Sequence, residues 1–556
     1  MFSTHIIDAI KEKTGLEDVR LETPPDSSLG DYAFPCFPLA KERKMAPPKI
    51  AEDLAGELSG IEGVAEIKAT GPYVNFFLEP GALATAVIPS VIGEGDSYGT
   101  KEKSGQRVVI EYSAPNTNKP QHLGHVRNNL LGMAAATMLG SQGHDVVKVN
   151  WINDRGIHIC KSMIAYQKFG EGKEPDKKPD HFVGEFYVEY ARHEEELEEG
   201  ARELLRKWEA GDEETLTLWK RMNDWAYAGF KETYGRLGCG FDKWFYESEI
   251  FRDAKGLVEE GLKKGVFEKN EEGAVVAKLE DHGLPDKVIV RADGTSIYVT
   301  ADLALGLEKA KLEFSRSIYV IGSEQNLYIQ QLFKIFELMG YPWASGLHHL
   351  SYGMVYLPEG KMKSREGKVV DADDLMDDVV GLARKEVDSR YPDLEKEEAA
   401  ERAEWIGLGA LKFYMLKTDP SNDMHYDPKE SLSFEGETGP YVQYTYARAA
   451  SVLRKAGDVK PVMAFSHLIE PEEKDLLMML QGYPTAVSEA AESYKPHALA
   501  HFLLRMCQKF NEYYHKHQVI KAEEGTKEER VVLLAAVCQV LANGLGLLGI
   551  HAPERM

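Results

Sequence analysis

Hydrophobic and polar positions alternate between strand-like and helix-like patterns over the first part of the chain and are helix-like towards its end. Residues 107–112 form a short, apolar, β-branched run, which predicts a buried strand. Apolar residues then fall on one face of a helix at positions 126, 130, 133 and 134. Strand patterns return over 287–324, and only helical patterns follow from about 400. Strands that alternate with helices predict an α/β fold with a parallel, doubly wound sheet.

Changes in this pattern divide the 556 residues into three predicted domains, because a single hydrophobic core does not grow to that size. Residues 1–103 mix helical and strand patterns and end in a polar, Gly-rich linker at 93–103, which predicts an α+β domain. Residues 104–400 hold the parallel sheet, interrupted over about 165–285 by a charged insertion that is predicted to be helical. Residues 401–556 are predicted to form an all-helical domain.

Composition and charge narrow the possible classes of protein. The net charge of −24 argues against binding nucleic acid over the whole surface, although a local basic patch is compatible with it. Five cysteines without a C-x-x-C pair argue against a zinc ribbon or a disulfide framework and fit a reducing cytoplasm. No signal peptide is visible at the N-terminus. No G-x-G-x-x-G follows a strand pattern, which argues against a dehydrogenase.

The longest apolar run, 531–550, has the length of a membrane span. It contains Gln539, Asn543 and three glycines, however, and these favour a buried pair of helices. We therefore expect no membrane association.

Two histidines stand where the first predicted strand gives way to a helix, in His122-Leu-Gly-His125. A helix N-terminus carries free backbone N–H groups and a partial positive charge, which suit a triphosphate. Gly124 lacks a Cβ and lets a nucleotide approach the backbone, and each histidine can donate a hydrogen bond to a phosphate. Such a pair taken alone is more often a surface or structurally satisfied pair. The flanking Pro115, Asn116 and Lys119 make it more specific.

This segment resembles the HIGH motif of class I aminoacyl-tRNA synthetases, and its longer string, Ser-Ala-Pro-Asn followed by Lys-Pro, resembles that of the arginyl-tRNA synthetases. Four further strings carry the same resemblance across essentially the whole chain: Gly30–Tyr32, Gly71–Phe76, Ser433–Arg448 and Leu548–Met556. The resemblance implies a class I Rossmann-like catalytic domain with insertions, an N-terminal domain that contacts tRNA and a helical anticodon-binding domain. It also implies that arginine and ATP form arginyl-adenylate, whose arginyl group passes to the terminal adenosine of the tRNA.

The segment Gly360–Gly367, Gly-Lys-Met-Lys-Ser-Arg-Glu-Gly, resembles the KMSKS loop of class I synthetases but departs from it. Either Lys361-Met362 align with the start of that motif, or Lys363-Ser364 align with its end and one residue is missing. The second register matches the K-[ST]-R-x-G form of arginyl-tRNA synthetases and is preferred. Cations on such a loop can clamp pyrophosphate, although without the other segments it would be read as a basic surface turn.

The resemblance assigns roles to particular residues. Catalysis is assigned to His122, His125, Lys119 and Lys363. ATP, with Mg²⁺ bridging its phosphates, is assigned to His122, Gly124, His125, Lys361, Lys363, Ser364 and Arg365. No metal ion bound by the protein itself is expected.

The segment Ala292–Ala304 resembles the family string in which Tyr298 and Asp302 face the arginine side chain. The two residues lie four positions apart and share one face if the segment is helical. A guanidinium is planar, permanently charged and rich in donors, so its pocket needs carboxylates that are held in place. Asp302 is the best candidate, and Glu247 is the next because Phe241–Ser248 resembles the family segment that supplies a second carboxylate. The resemblance adds three residues for the polar groups of the substrate: Glu111, Asn116 and Gln325. As single residues, Glu111 and Asn116 are more often helix caps or surface ion pairs, whereas for Gln325 a capping turn is the less favoured explanation.

Basic residues interleaved with aromatic ones over 439–457 and 494–521 fit single-stranded RNA. Either stretch alone is better explained by core aromatics and solvated charges. The candidate tRNA-binding residues are Tyr441, Tyr444, Arg448, Arg454 and Lys509. The resemblance further implies that bound tRNA is needed for arginine activation, and we expect a monomer.

Two other functions stay open at this stage. One is a class I synthetase for another amino acid, with lysine first because the paired carboxylates require a cationic substrate. The other is a non-catalytic paralogue that only binds RNA, which the irregular loop at 360–367 alone favours, since both histidines are present.

Overall fold

The computed structural model describes the following residues: 2–24, 26–170, 172–251, 254–293, 298–356, 370–457, 462 and 464–556. The loop at 360–367 therefore lies outside the described residues, with the four positions assigned to ATP there: Lys361, Lys363, Ser364 and Arg365.

The first domain is α+β, as predicted. Its elements are α1 (Phe2–Thr14), β1 (Tyr32–Pro35), α2 (Phe37–Arg43), α3 (Pro47–Glu57), β2 (Val64–Thr70), β3 (Tyr73–Leu78) and α4 (Pro80–Glu94). The three strands form an antiparallel sheet in the order β1-β3-β2. Helix α1 buries Phe2, Ile6 and Ile10, which recur every four residues and so share one face.

The middle of the chain alternates strands and helices. Its first half has β4 (Arg107–Glu111), α5 (Leu123–Ser141), β5 (Asp145–Ile152), α6 (Ile157–Ala165), α7 (Pro179–Arg192), α8 (Glu194–Ala210), α9 (Glu213–Leu237), β6 (Lys243–Tyr246), α10 (Glu247–Ile250) and α11 (Ala254–Lys264). Its second half has β7 (Phe267–Lys269), β8 (Val275–Ala277), β9 (Lys287–Val290), α12 (Tyr298–Ala310), β10 (Arg316–Gly322), α13 (Asn326–Leu338), β11 (Leu347–Tyr352), β12 (Val355–Tyr356) and α14 (Ala372–Arg390).

Five of these strands form one parallel sheet in the order β11-β10-β4-β5-β6. The chain leaves β4 towards β5 on one side and leaves β10 towards β11 on the other. The strand order therefore reverses between β4 and β10. In open α/β sheets the ligand crevice opens outside the carboxyl ends of the strands at such a reversal. The predicted histidine motif follows β4, so it lies at this crevice.

The insertion predicted as helical over about 165–285 is helical only in part. Helices α7, α8 and α9 fill 179–237, but β6 is the edge strand of the central sheet and β7, β8 and β9 form a small antiparallel sheet. The strand pattern at 287–290 belongs to this small sheet and not to the parallel one. Strand β6 is four residues long and forms by pairing with β5, which is distant in sequence, so local periodicity is too short to identify it.

The last part of the chain is helical, as predicted, and packs as a bundle. Its elements are α15 (Lys396–Leu416), β13 (Met424–His425), α16 (Pro428–Ser431), α17 (Gly439–Ala456), α18 (Pro471–Glu492), α19 (Pro496–Lys516) and α20 (Thr526–Leu547). The two-residue strand β13 pairs with β12 and was not predicted.

The apolar run at 531–550 forms one helix, α20, and not the expected pair. By length and composition α20 is the one helix in the described part of the chain that could cross a membrane. It packs against α4, α17, α18 and α19 and buries more than half of its most apolar stretch. Its hydrophobicity is therefore explained by the core of the bundle.

The first domain docks on the helical bundle through its Gly-Asp-Tyr string. Buried Asp31 accepts from the backbone N–H of Leu78 at 2.6 Å and forms an ion pair with Lys474 of α18, also at 2.6 Å. Tyr98, after α4, donates to the Leu480 carbonyl at 2.9 Å. These contacts hold the first domain against helix α18 of the C-terminal bundle.

Candidate active site

The backbone turns sharply where β4 ends. Ser113 and Ala114 have φ values of 78° and 49°, in the left-handed region that non-glycine residues enter at a cost of about 1–3 kcal/mol. Two buried asparagines stabilise the turn: Asn128 accepts from the Ser113 N–H at 2.5 Å, and Asn150 accepts from the Ala114 N–H at 3.1 Å. The Ser113 hydroxyl also bonds to Tyr234 at 2.6 Å. This turn directs the chain from the sheet into the histidine segment.

His122 and His125 cap helix α5 reciprocally. Nδ1 of His122 accepts from the Gly124 N–H at 3.1 Å, and Nδ1 of His125 accepts from the His122 N–H at 3.2 Å. The ring centroids lie 4.0 Å apart. Because both Nδ1 atoms are acceptors, each neutral ring carries its proton on Nε2. Two N–H donors are thus held at a helix N-terminus, where an anion is favoured.

Burial keeps both histidines neutral. It lowers the pKa of His122 to about 4, with the charge of Lys119 acting in the same direction. Burial and the neighbouring His122 lower the pKa of His125 well below its ordinary value. Gly124 is required at this point, because a Cβ there would lie 2.9 Å from the His122 ring. Lys119 is half-buried, and burial lowers its pKa too.

The segment that follows the 360–367 loop is bonded directly to the histidine segment. The Leu123 N–H donates to the Val370 carbonyl and the Ala372 N–H donates to the Gln121 carbonyl, both at 3.0 Å. Asp371 between them caps α14 by accepting from the Asp373 N–H at 2.8 Å. Val370 and Ala372, the first residues described after the predicted ATP loop, therefore lie beside the histidine segment.

Buried Arg127 of α5 fixes the segment that precedes the same loop. Its guanidinium donates to the carbonyls of Gly353 at 2.6 Å and Asn422 at 2.9 Å, with longer bonds to Met354 and Pro420. Sequence reasoning missed this residue. The available signal was that Arg127 is the only Lys, Arg, Asp or Glu in α5.

Tyr298 and Asp302 lie on one face of α12, as their spacing predicted. Asp302 accepts from the Tyr328 hydroxyl of α13, and burial raises its pKa to about 7. Glu247 begins α10, which packs against α12, and burial raises its pKa to about 7 as well. The charge of Asp302 contributes to that shift, and nearby Arg155 opposes it. Two carboxylates that are costly to ionise, on packed helices, form a site that a bound cation would stabilise.

Glu111 lies at the end of β4, but its carboxylate already has a partner. Oε2 of Glu111 accepts from Lys309 Nζ at 2.8 Å, and both side chains are buried. Sequence reasoning missed Lys309, which stands among charged residues at the end of α12 and carries no motif. Glu111 thus forms part of a buried ion pair beneath the crevice.

The other three predicted arginine-site residues are exposed at the same edge of the sheet. Asn116 follows β4 and pairs with Asn153 beyond β5. Gln325 follows β10 at the start of α13. Tyr298 is 68% exposed, one helical turn before Asp302. All three lie where side chains can still adjust to a ligand.

Three of the five candidate tRNA-binding residues lie together on α17. Arg448 lies over the Tyr444 ring, 4.7 Å from its centroid, and donates to Asn511 of α19 at 2.7 Å. The Tyr441 hydroxyl accepts from the same Asn511 at 3.0 Å. These half-buried side chains form one aromatic and basic cluster.

The remaining two candidates lie outside that cluster and are paired with acidic residues. Arg454 pairs with Glu554 at 3.6 Å, and Lys509 pairs with Asp475 at 2.7 Å. Their positive charges are partly neutralised by these acidic partners, so they are less available to an RNA phosphate.

Among the residues that the structure describes, two groups of acidic and histidine side chains are spaced closely enough for a metal ion, Asp180–His181–Asp373 and Glu470–Glu472–His517. In each group a lysine already binds a carboxylate: Lys178 donates to Asp373 at 2.8 Å and Lys516 to Glu472 at 2.6 Å. In both groups the positive charge of a lysine offsets part of the negative charge of the carboxylates, which explains why the acidic side chains can lie so close together.

Three sequence families match successive parts of the chain. They are described as "Arginyl tRNA synthetase N terminal domain" for residues 1–78, "tRNA synthetases class I (R), catalytic domain" for 87–427, and "DALR anticodon binding domain" for 442–556.

Relatives match over nearly the full length. The chain is 44% identical over 561 residues to the arginine–tRNA ligase of Treponema denticola, with 97% of this chain and 95% of the relative covered. It is 42% identical to that of Parabacteroides distasonis, covering 99% and 98%. Among solved structures, the arginyl-tRNA synthetase of Thermus thermophilus superposes with a TM-score of 0.84 at 30% identity, covering 100% and 99%. The chain therefore belongs to the arginyl-tRNA synthetases, a family of class I tRNA synthetases.

Proposed function

We propose that this chain attaches L-arginine to its tRNA in two steps. The arginine carboxylate attacks the α-phosphate of ATP, which releases pyrophosphate and forms arginyl-adenylate. The terminal adenosine hydroxyl of the tRNA then attacks the arginyl carbonyl and releases AMP. The observation that carries this proposal is a pair of carboxylates, buried Glu247 and half-buried Asp302, on the packed helices α10 and α12 at the crevice that also holds the neutral histidines.

The first step needs positioning and charge stabilisation and no covalent nucleophile. His122 and His125 direct their Nε2–H donors at the phosphates, and Gly124 gives the nucleotide access to the backbone. Lys119 supplies positive charge beside them. The residues proposed to clamp the pyrophosphate, together with Mg²⁺, are Lys361, Lys363, Ser364 and Arg365.

Arginine is proposed to bind with its guanidinium between Asp302 and Glu247, beside the Tyr298 ring. Two carboxylates suit the planar fork of five donors better than they suit the single ammonium of lysine. The polar groups at the other end of the amino acid are assigned to Glu111, Asn116 and Gln325.

The tRNA is proposed to contact residues 1–103 and, through its anticodon, residues 401–556, with residues 104–400 as the catalytic domain. The cluster of Tyr441, Tyr444 and Arg448 offers stacking surfaces and a cation, whereas Arg454 and Lys509 remain weaker candidates. We further propose that the chain acts as a monomer in the cytoplasm.

Arginine-dependent exchange between ATP and pyrophosphate tests the activity. We expect exchange with arginine and not with lysine, and only when tRNA is present. If exchange depended on lysine and not on arginine, lysine would be the substrate. Tight tRNA binding without exchange for either amino acid would favour a non-catalytic RNA-binding protein.

The two carboxylates give arginine binding a pH dependence. Each has its pKa raised to about 7, well above that of an unfolded chain, so the stability of the free protein falls as the pH rises towards and through 7. Arginine binds the ionised forms and restores that stability. We therefore expect saturating arginine to raise the melting temperature more at pH 8 than at pH 6.

Thermal unfolding with and without arginine measures this effect. The double variant Glu247→Gln with Asp302→Asn should lose the pH dependence. An equal or larger shift at pH 6 in the unmodified chain would contradict the assignment.

A further inference from the structure

Lys309 is a fully buried lysine beneath the proposed arginine site. It lies seven residues after Asp302 on α12, two helical turns away, so both side chains point from the same face. Its Nζ donates to Glu111 Oε2 at 2.8 Å and lies 3.2 Å from the centroid of the Tyr319 ring. The side chain is 1% exposed.

Neighbouring strands build the surface that receives this lysine. Glu111 of β4 and Tyr319 of β10 are paired in register, so the carboxylate and the ring lie side by side beneath α12. An ammonium group is buried only when it is paired, because its desolvation is expensive. The carboxylate of Glu111, which is 5% exposed, is likewise costly to bury without a partner. Each of the two side chains therefore offsets the cost of burying the other.

Acidic groups outnumber cations around this site. Besides Glu111 and Asp302, Glu247 lies near buried Asp154, whose charge acts on it. Arg155 lies 3.7 Å from Glu247 but is also paired with Glu209 at 3.2 Å. Lys309 is the cation that pairs with Glu111, so without it the site would hold one more uncompensated negative charge.

We propose that Lys309 is a positioning residue for arginine: it holds the Glu111 carboxylate in one orientation through Oε2, so that the second oxygen meets the substrate. This inference rests on the proposed function, specifically on contact between Glu111 and arginine. Preorganisation of this kind improves affinity because the substrate does not have to order the carboxylate.

Three variants of the full-length chain test it: Lys309→Met, Glu111→Gln and the two combined. Steady-state aminoacylation gives kcat and the KM values for arginine and ATP. We expect Lys309→Met to raise the KM for arginine by ~10-fold or more and to leave the KM for ATP within ~2-fold. If Lys309 acts only through Glu111, the double variant should match Glu111→Gln within ~2-fold.

The double variant keeps the test decisive, because Lys309→Met alone leaves a buried, unpaired carboxylate and can fail to fold. A KM for arginine in the double variant ~10-fold above that of Glu111→Gln would overturn the inference. So would Lys309→Met with an unchanged KM for arginine, or with equal rises for arginine and ATP.

Lys412 provides the matched control. It is a second buried lysine, on α15, whose Nζ donates to the Gly549 carbonyl at 2.7 Å, away from the crevice. Lys412→Met should lower thermal stability and leave the KM for arginine unchanged. If the unmodified chain does not use arginine, the proposed function fails; if it does and the variants disagree with these expectations, only the role of Lys309 fails.

Discussion

Asp302→Asn is expected to raise the KM for arginine by ~10²–10³-fold while leaving the KM for ATP nearly unchanged. Asparagine has the same shape and can still bond to Tyr328, so the change removes charge and little else. When one carboxylate is lost, the bound guanidinium keeps a buried charge that is incompletely paired, and this lowers the affinity for arginine. Aminoacylation with arginine or ATP varied in turn measures the two constants.

The same substitution should not destabilise the free protein. Burial raises the pKa of Asp302 to about 7, so at neutral pH its ionisation opposes folding, and a neutral amide removes that cost. A melting temperature equal to or above that of the unmodified chain is expected. Glu473→Gln is the contrasting control. Glu473 is buried in α18 and pairs with Arg530 at 2.7 Å, so its loss should lower stability without changing the KM for arginine. Equal losses of arginine and ATP affinity in Asp302→Asn would refute a specific guanidinium contact.

His125→Ala is expected to lower the rate of adenylate formation by ~10²-fold or more, as when a preorganised donor to the transition state is lost. The ring is neutral, so the missing contribution is one directed Nε2–H and not a positive charge. Pyrophosphate exchange at saturating arginine, ATP and tRNA measures the rate. A near-normal rate would contradict the assignment of this histidine.

A capping control separates chemistry from helix stability. His125→Ala also removes the acceptor for the His122 N–H, a loss worth about 1 kcal/mol. Asp212 caps α9 by accepting from the Thr215 N–H at 2.9 Å, away from the histidines. Asp212→Ala should cost similar stability and leave exchange intact.

Local patterns predicted much of this site. The β-branched run before the histidines became β4, and the spacing of Tyr298 and Asp302 placed them on one helical face, because both features depend on residues close in sequence. Motif resemblance carried the family assignment, which the comparisons confirm.

What sequence reasoning missed depends on contacts between distant segments. Lys309 is one of many charged residues in the chain until α12 places it against Glu111, 198 positions earlier. Strand β6 is defined by its pairing with β5, and the left-handed turn at Ser113 by Asn128 and Asn150. No periodicity encodes such partners.

The hydrogen bonds of Arg127 limit where the chain can be cut into independent domains. Its guanidinium lies in the helix that begins with the histidines, yet two of its carbonyl acceptors, Pro420 and Asn422, come from residues beyond the predicted catalytic boundary at 400. A fragment cut at that boundary would keep the cation buried and take away half of its acceptors. The catalytic and helical parts therefore depend on each other structurally, and a chimaera that exchanges the helical part between relatives must keep residues 420–422 with the catalytic part.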